Sequence, residues 1–274
     1  MPSQLVDKYF RVEDLPQIWC PGCGHGIITR AITAAIEQLG LEPDKVCVVS
    51  GIGCSSRAPG YLDFNTLHTT HGRALAFATG IKLANPELKV IVIMGDGDST
   101  AIGGNHFIHA CRRNIDLTTI IFNNNIYGMT GGQYSPLTPK FDKGTTAPYG
   151  NIDRPFDICD LASGAGATYV GRGTSYHANV VTNLVKKGIM NDGFSLIEAI
   201  SGCPTYYGRK NKKGGPVDMM QWQKDNAVTV TAAAKMTPEQ LEGKFLIGEL
   251  KNKPEPEYTK EYQKIIDNLK GSDV

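Results

Sequence analysis

The sequence predicts an α/β protein, a doubly wound parallel sheet with a C-terminal extension. Short apolar runs rich in β-branched residues recur between residues 20 and 203, and turn residues bound each of them, as expected of buried strands. Stretches with apolar residues at helical spacing lie between these runs. Strands and helices that alternate in this way form a parallel sheet with helices on both faces.

The clearest strand–helix–strand unit spans residues 90–122. Residues 90–94 and 118–122 are predicted strands, and residues 102–113 form a predicted helix between them. Gly95-Asp96-Gly97 follows the first strand, and three asparagines at 123–125 follow the second. Both endings should lie at the carboxyl edge of the sheet, where open α/β sheets bind ligands. Although such residues are also common in ordinary turns, their carboxylate and carboxamide oxygens together suit Mg²⁺ and a phosphate group.

The remaining elements follow from the same patterns. Further strands are predicted at residues 46–50, 168–170 and 194–200, and further helices at residues 27–39, 68–83, 155–163 and 177–190. The first turn of the helix at 68–83 would carry the small polar residues and the cation of 69–73, which could bind an anion. We expect residues 1–205 to form one domain, and residues 206–274 to be an extension that packs on it or on a partner subunit.

Composition narrows the class of protein. The net charge of the 274 residues is +1, which argues against binding to nucleic acid or to an anionic membrane. No apolar run approaches the length of a membrane span, and the N-terminal residues lack a signal pattern. We therefore expect a cytoplasmic protein. Its seven cysteines are then more often metal ligands or buried thiols than disulfides.

Four of the cysteines differ from the other three in their surroundings. Cys20, Cys23, Cys54 and Cys203 lie in loops rich in glycine and proline, and the last two follow predicted strands on the ligand-binding edge. Four thiolates at one edge could bind Zn²⁺ or a [4Fe–4S] cluster. Spacing leaves both open, although structural zinc usually joins two close pairs. The other three are predicted to be buried small apolar residues: Cys47, Cys111 and Cys159.

Taken together, the motifs resemble the β subunit of 2-oxoacid:ferredoxin oxidoreductases. They are WCPGCGHG at 19–26, GIGCSSR at 51–57, HGRA at 71–74, GDGD at 95–98, NNIYGMTGGQ at 124–133 and SGCP at 201–204. The resemblance spans about residues 18–210, and the GMTGGQ version looks most like the members that use 2-oxoglutarate. It implies a diphosphate-binding domain for thiamine diphosphate, with Mg²⁺ and a [4Fe–4S] cluster. It also implies reversible oxidative decarboxylation of 2-oxoglutarate to succinyl-CoA and CO₂.

The resemblance assigns roles to individual residues. The Asp96 and Asn124 side chains and the Ile126 carbonyl would bind Mg²⁺, and the four loop cysteines would bind the cluster. Arg57 would bind the substrate carboxylate; the alternative interpretation is an arginine on the surface without a role in the site. The other members of the catalytic set would be His71, Met129 and Thr130. The cofactor-binding set would be Gly24, His25, Ile52, Gly53, Ser55, His71, Gly95, Asp96, Gly97, Asp98, Asn124, Ile126, Tyr127, Gly128, Met129 and Thr130.

Partners and alternatives complete the expectation. An α subunit would supply the pyrimidine-side domain and the glutamate that activates the cofactor, in an αβ or (αβ)₂ assembly. Ferredoxin would take the electrons and coenzyme A the acyl group. Three alternatives stay open: the same chemistry on pyruvate or another 2-oxoacid, a non-redox thiamine diphosphate decarboxylase or carboligase with a structural Cys₄ zinc, and a zinc-stabilised binding module. The lysines of residues 210–213 are expected in a solvated loop, with docking of ferredoxin or coenzyme A as the alternative.

Overall fold

The computed structural model describes residues 2–271. Its eight-stranded sheet has the order β2-β1-β3-β4-β6-β5-β8-β7. The strands are β1 (Val46–Ser50), β2 (Asn65–His68), β3 (Lys89–Gly95), β4 (Thr118–Asn123), β5 (Tyr169–Thr174), β6 (Ser195–Ile200), β7 (Ala227–Thr229) and β8 (Phe245–Asn252). From β2 to β5 every neighbouring pair is parallel, whereas β8 pairs antiparallel with β5. The predicted doubly wound parallel sheet is therefore confirmed.

Helices cover both faces of the sheet. They are α1 (Pro2–Tyr9), α2 (His25–Gln38), α3 (Ala58–Tyr61), α4 (Ala74–Ala84), α5 (Gly104–Arg113), α6 (Ile158–Ala165), α7 (Ala178–Met190), α8 (Pro216–Asn226), α9 (Val230–Ala233), α10 (Pro238–Leu241) and α11 (Tyr258–Gly271). Wide π turns, Asp98–Ile102 and Pro204–Gly208, follow β3 and β6, and short 3₁₀ turns occupy Val12–Asp14, Pro43–Lys45 and Ser55–Arg57. Among the described residues, no helix combines the length and the apolar character needed to cross a membrane.

The core lies in two layers, one on each face of the sheet. Alternate residues of β3 show this division, since Ile91 and Ile93 join the layer under α2 and α7, while Val92 joins the layer under α4, α5 and α6. Side chains of a strand point alternately to opposite faces. A strand covered on both sides therefore reads as a continuous apolar run, which is why these strands were predictable.

One predicted helix begins too early. Residues 65–68 form β2 beside β1, and α4 begins only at Ala74. The intervening loop is fixed because the Thr69 amide donates to the Ser50 carbonyl (2.8 Å) and Gly72 adopts φ +68°, a left-handed conformation that favours glycine. Residues 69–73 therefore belong to a loop, and their prediction as the first turn of a helix that binds an anion is wrong.

The C-terminal segment joins the sheet. The strands β7 and β8 extend its edge beyond β5, where the sequence predicted only an extension that packs on the domain or on a partner subunit. Residues after β8 also contact the rest of the domain. The Asp116 amide donates to Glu257 (3.0 Å), and the Asn114 side chain donates to the Glu255 carbonyl (3.1 Å). The sequence therefore underestimated how much regular structure this segment contains. The boundary at residue 205 stays a prediction.

Candidate functional site

The carboxyl ends of four adjacent strands carry the predicted site. In the sheet β1, β3, β4 and β6 are neighbours, and the segments that follow them hold Cys54, Asp96, Asn124 and Cys203. A cavity of about 110 Å³ opens between the segments that follow β1, β3 and β4. Every predicted cofactor residue except Gly24 lines it, and so do Cys54 and Phe122. Chain topology alone thus gathers residues that lie up to 105 positions apart, from His25 to Thr130.

Gly24 has a different position. It precedes α2 at φ +85°, a conformation that favours glycine, and an added Cβ would lie 2.6 Å from the Ser175 side chain. Its role as a cofactor contact stays a prediction. What the structure shows is that Gly24 starts α2 and thereby brings His25 to the cavity.

Asp96 is the buried carboxylate of the site. The Ser135 hydroxyl donates to its Oδ2 (2.5 Å), and the amides of Gly97 and Asn124 also favour its ionised form. Burial outweighs these contacts and raises the pKa of Asp96 to about 7. A buried carboxylate that costs this much to ionise is suited to a divalent cation, whose charge would offset the loss of water. Sequence patterns did not identify Ser135, which lies in the long loop after β4.

Asp98 ties three loops together. Its Oδ1 accepts hydrogen bonds from His71 Nδ1 (2.5 Å), the Gly72 amide (2.7 Å) and the Ile52 amide (3.3 Å). Burial nevertheless raises the pKa of this carboxyl. Its Oδ2 has no hydrogen-bond partner within residues 2–271. The same is true of Ser55 Oγ, another buried polar atom of the cavity wall.

Unpartnered buried polar atoms call for a ligand. Buried polar side-chain atoms nearly always find a partner, so several around one cavity indicate a group that binds there. A phosphorylated cofactor with its Mg²⁺ offers both charge and hydrogen-bonding atoms to such a wall. On this test the described residues fit the group that the motifs implied.

The loop after β4 closes over the cavity. The Tyr127 hydroxyl donates to the Gly97 carbonyl (3.0 Å), and burial, followed by repulsion from Asp96 and Asp98, raises the pKa of Tyr127 to about 12. The loop is pinned further along, where the Gln133 carbonyl accepts from the Tyr127 amide (2.9 Å). Met129 lies half-exposed at its tip. These hydrogen bonds therefore hold the loop in place while its side chains line the cavity.

Replacing Gly97 with alanine should damage the cavity selectively. An added Cβ would lie 2.2 Å from the Tyr127 ring, so the ring must move. Overpacking of this kind costs about 1–3 kcal/mol, and we expect a lower melting temperature and weaker binding of thiamine diphosphate with Mg²⁺. Gly104→Ala is the matched control, because Gly104 begins α5 with open space around its Cα. Equal behaviour of the two variants in calorimetry and cofactor titration would contradict the packing argument.

The predicted catalytic residues divide into two groups. His71, Met129 and Thr130 line the cavity. The side chain of Arg57 is exposed and does not line it. Its predicted contact with a substrate carboxylate stays a prediction, and it would require the substrate to extend beyond the cavity that this chain forms.

The four loop cysteines line a second cavity, of about 230 Å³. The Gly202 amide donates to the Cys23 carbonyl (3.0 Å), and Trp19 Nε1 donates to the Cys54 carbonyl (2.6 Å), so these contacts join three separate loops. An added Cβ on Gly128 would lie 3.5 Å from the Cys54 sulfur and 3.6 Å from the Cys203 sulfur. Gly128 thus lies beside both sulfurs, at ordinary contact distance.

The thiols influence one another electrostatically. Burial, followed by repulsion from Cys203, Cys23 and Cys20, raises the pKa of the Cys54 thiol to about 11. Burial likewise raises the pKa of Cys23. Thiols in this condition stay protonated at neutral pH, so they are poor nucleophiles but become thiolates when a metal binds them.

The sulfurs of the four loop cysteines are not closely grouped. Tetrahedral zinc with Zn–S bonds of about 2.3 Å holds its sulfurs about 3.8 Å apart. No three of the four cysteine sulfurs, all of which the structure describes, lie within 4.8 Å of one another. The four sulfurs therefore line the cavity without forming a close tetrahedral set.

The two cavities share a wall. The residues that line both are His25, Cys54, Asn124, Gly128 and Met129. A group held by the four cysteines would thus be separated from a cofactor in the first cavity by single side chains. Burial lowers the pKa of His25, which lies in this wall, to about 4.

The other three cysteines are buried, as predicted. Cys159 lies near two carboxylates, Asp157 and Glu198, in an arrangement that resembles a metal site. Arg172 already supplies the cation there, because it contacts Glu198 at 2.5 Å and Asp157 at 2.6 Å. Glu198 also accepts from Asn123 (2.7 Å), directly before Asn124. This cluster therefore supports the loop after β4 rather than binding a metal.

Comparison with known proteins identifies the family. Residues 51–199 match the family described as thiamine pyrophosphate enzyme, C-terminal TPP binding domain. A protein of Methanocaldococcus jannaschii named 2-oxoglutarate synthase subunit KorB is 54% identical over 96% of this chain and 98% of its own length. A protein of the same name from Methanothermobacter thermautotrophicus is 52% identical over 96% of this chain and 92% of its own length.

A solved structure agrees with these matches. It is a 2-oxoglutarate:ferredoxin oxidoreductase from Magnetococcus marinus with 2-oxoglutarate, coenzyme A and succinyl-CoA bound. It is 33% identical, with a TM-score of 0.86, and the similarity covers 98% of this chain and 91% of that chain. The family predicted from the motifs is thereby confirmed. The chain belongs to the thiamine pyrophosphate enzymes and, within them, to the KorB subunits of the 2-oxoglutarate synthases.

Proposed function

We propose that the chain is the β subunit of a CoA-acylating 2-oxoglutarate:ferredoxin oxidoreductase. The complex converts 2-oxoglutarate and coenzyme A to succinyl-CoA and CO₂, and it passes two electrons to ferredoxin; the reaction is reversible and can fix CO₂. One observation carries the proposal, namely that the cofactor cavity and the four-cysteine cavity share a wall. Carbon–carbon cleavage coupled to single-electron transfer needs such an arrangement, whereas a non-redox decarboxylase does not.

The residues of this chain would hold both groups. Asp96, Asn124 and the Ile126 carbonyl would hold Mg²⁺, and through it the diphosphate. Asp96 supplies the negative charge, while the Ile126 amide fixes the carboxamide by donating to Asn124 Oδ1 (3.2 Å). When bound, thiamine diphosphate would supply the carbanion chemistry, and a [4Fe–4S] cluster would supply single-electron transfer. The wall residues would keep the two groups apart and exclude water between them.

A partner chain would complete the site. The cavity of about 110 Å³ is smaller than the roughly 300–1,000 Å³ of ordinary cofactor pockets. No glutamate is among the residues that line it. We therefore propose that an α subunit covers the cavity and contributes the activating glutamate, in an αβ or (αβ)₂ assembly. Ferredoxin would approach from the four-cysteine side, and the free thiols favour a cytoplasmic setting.

An anaerobic preparation of the complete complex tests the proposal. Iron and acid-labile sulfide are measured together with ferredoxin reduction, using 2-oxoglutarate, pyruvate and coenzyme A in separate combinations. We expect about four irons per β chain beyond those of the partner, and reduction only with 2-oxoglutarate and coenzyme A together. Ferredoxin reduction with pyruvate but not with 2-oxoglutarate would show that pyruvate is the substrate. A colourless complex with one zinc per β chain would reject the redox function.

Arg57 gives a narrower prediction about the substrate. If its guanidinium meets a substrate carboxylate, Arg57→Gln removes a charged hydrogen bond worth about 1.5–3 kcal/mol. We expect the KM for 2-oxoglutarate to rise by about 10- to 100-fold, with cofactor affinity and iron content unchanged. Arg209→Gln is the control, since Arg209 is also exposed and lines neither cavity. An unchanged KM would show that Arg57 does not contact the substrate.

A further inference from the structure

We propose that His25 links the two cavities, because its Nδ1–H donates to the sulfur of Cys23 while its Nε2 binds a polar atom of the ligand in the cofactor cavity. The inference deepens the proposed function and depends on it, since the four cysteines must hold a cluster. It assigns this histidine two separate tasks, one on each nitrogen.

The position of the ring supports both tasks. His25 is the first residue of α2, is only 2% exposed and lines both cavities. Its ring centroid lies 5.7 Å from that of Trp19 and 5.3 Å from that of Phe122. Two neighbouring aromatic rings and the burial of the side chain restrict rotation of the ring, so each nitrogen keeps its direction.

The first nitrogen lies against a cysteine sulfur. The distance from Nδ1 to Cys23 Sγ is 3.1 Å. A metal-bound thiolate carries no proton and can only accept a hydrogen bond, so Nδ1–H must be the donor in the loaded protein. Hydrogen bonds to the sulfurs of an iron–sulfur cluster are one of the factors that set its reduction potential. Loss of this donor should therefore make the cluster harder to reduce.

The second nitrogen has no partner. His25 Nε2 is buried and makes no hydrogen bond within residues 2–271. His25 lines the cofactor cavity, whose wall also carries the unpartnered Ser55 Oγ. A buried ring nitrogen without a partner is costly. Because Nδ1 carries the proton of the neutral ring, Nε2 can only accept, and an N–H or O–H group of the bound ligand would satisfy it. One rigid side chain would thus contact the groups bound in both cavities.

Two substitutions separate the tasks. The amide N–H of asparagine can donate from near the position of Nδ1, and the carbonyl oxygen of glutamine can accept near the position of Nε2. We expect His25→Gln to shift the midpoint potential of the cluster to a more negative value, by about a tenfold change in the equilibrium constant of reduction, or 59 mV. It should keep the affinity for thiamine diphosphate with Mg²⁺. His25→Asn should keep the potential and lose at least about tenfold in that affinity.

The complete α–β complex is used, and both properties are measured under anaerobic conditions, by redox titration and by cofactor titration. His177→Gln is the control, because His177 also lies at the start of a helix, directly before α7, but lines neither cavity. The inference alone would be overturned if the wild-type complex contains the cluster but His25→Gln does not shift its potential and His25→Asn does not weaken cofactor binding. A wild-type complex without iron would reject the proposed function as well.

A measurement on the wild-type protein guards against variants that fail to assemble. The complex is labelled with ¹⁵N-histidine, and electron–nuclear double resonance is recorded on the reduced cluster. A coupled histidine nitrogen is expected, since Nδ1 lies 3.1 Å from a cluster ligand. The absence of any coupled histidine nitrogen would overturn the proposed hydrogen bond.

Discussion

Cys54→Ser will remove ferredoxin reduction while binding of thiamine diphosphate persists. Cys54 follows β1 and lines both cavities, so it is the cysteine placed between the proposed cluster and the cofactor. A serine hydroxyl is a poor ligand for iron where the site is built for soft thiolates. The expected result is a loss of about four irons per β chain and a fall of ferredoxin reduction to the background rate. Serine is no larger than cysteine, so the cofactor cavity keeps its shape.

Cys47→Ser is the matched control for this experiment. Cys47 lies seven residues earlier, within β1, and is 6% exposed. Serine there should lower the melting temperature and leave iron content and the rate per assembled complex unchanged. Full iron content in Cys54→Ser would contradict the assignment of Cys54 as a cluster ligand. Equal iron loss in both variants would show that general instability, and not ligation, was responsible.

The parts of this site that the sequence predicted share a physical basis. A buried parallel strand must be apolar throughout, so β3 and β4 were visible as β-branched runs. Parallel strands then place everything that follows them on one edge. The approximate positions of Asp96 and Asn124 therefore followed from where two apolar runs ended, without any knowledge of the tertiary contacts.

The parts that the sequence did not predict depend on contacts between distant segments. Ser135 reaches Asp96 across 39 positions of chain, from a loop without periodicity. The loop at 69–73 resembles the start of a helix, but the Thr69 amide pairs with Ser50 instead. The strand β8, which lies between β5 and the edge strand β7, has a mixed burial pattern, so it lacks the continuous apolar run of a central strand. Local pattern cannot reveal any of these partnerships.

Asp96→Asn will remove the metal site and change how stability depends on pH. Outer partners of metal ligands already cost 10- to 100-fold in metal affinity when replaced, so loss of the charged ligand itself should cost at least about 100-fold. Cofactor titration with thiamine diphosphate and Mg²⁺ measures this effect. Asp44→Asn is the control, because Asp44 is exposed in the turn before β1. Unchanged cofactor affinity in Asp96→Asn would show that Asp96 is not a ligand.

The pH dependence follows from the pKa of Asp96. Burial raises that pKa from 3.8 to about 7 in the folded protein. Between these values the unfolded chain has released the proton and the folded chain has not. The free energy of unfolding of the metal-free protein therefore falls as the pH rises from about 4 to about 7, by up to roughly 4 kcal/mol. In Asp96→Asn this contribution is absent, so the variant should lose less stability over the same range.

Mg²⁺ with thiamine diphosphate should remove this loss of stability with rising pH in the wild-type protein. The cation stabilises the ionised carboxylate, so the folded protein releases the proton at lower pH and the penalty near pH 7 disappears. Denaturant unfolding at pH 5 and pH 7.5, with chelator or with Mg²⁺ and cofactor, compares the four conditions for each protein. The ligands should stabilise the wild type more at pH 7.5 than at pH 5, whereas Asp96→Asn should show little stabilisation at either pH. A wild-type response independent of pH would mean that the cation does not bind this carboxylate.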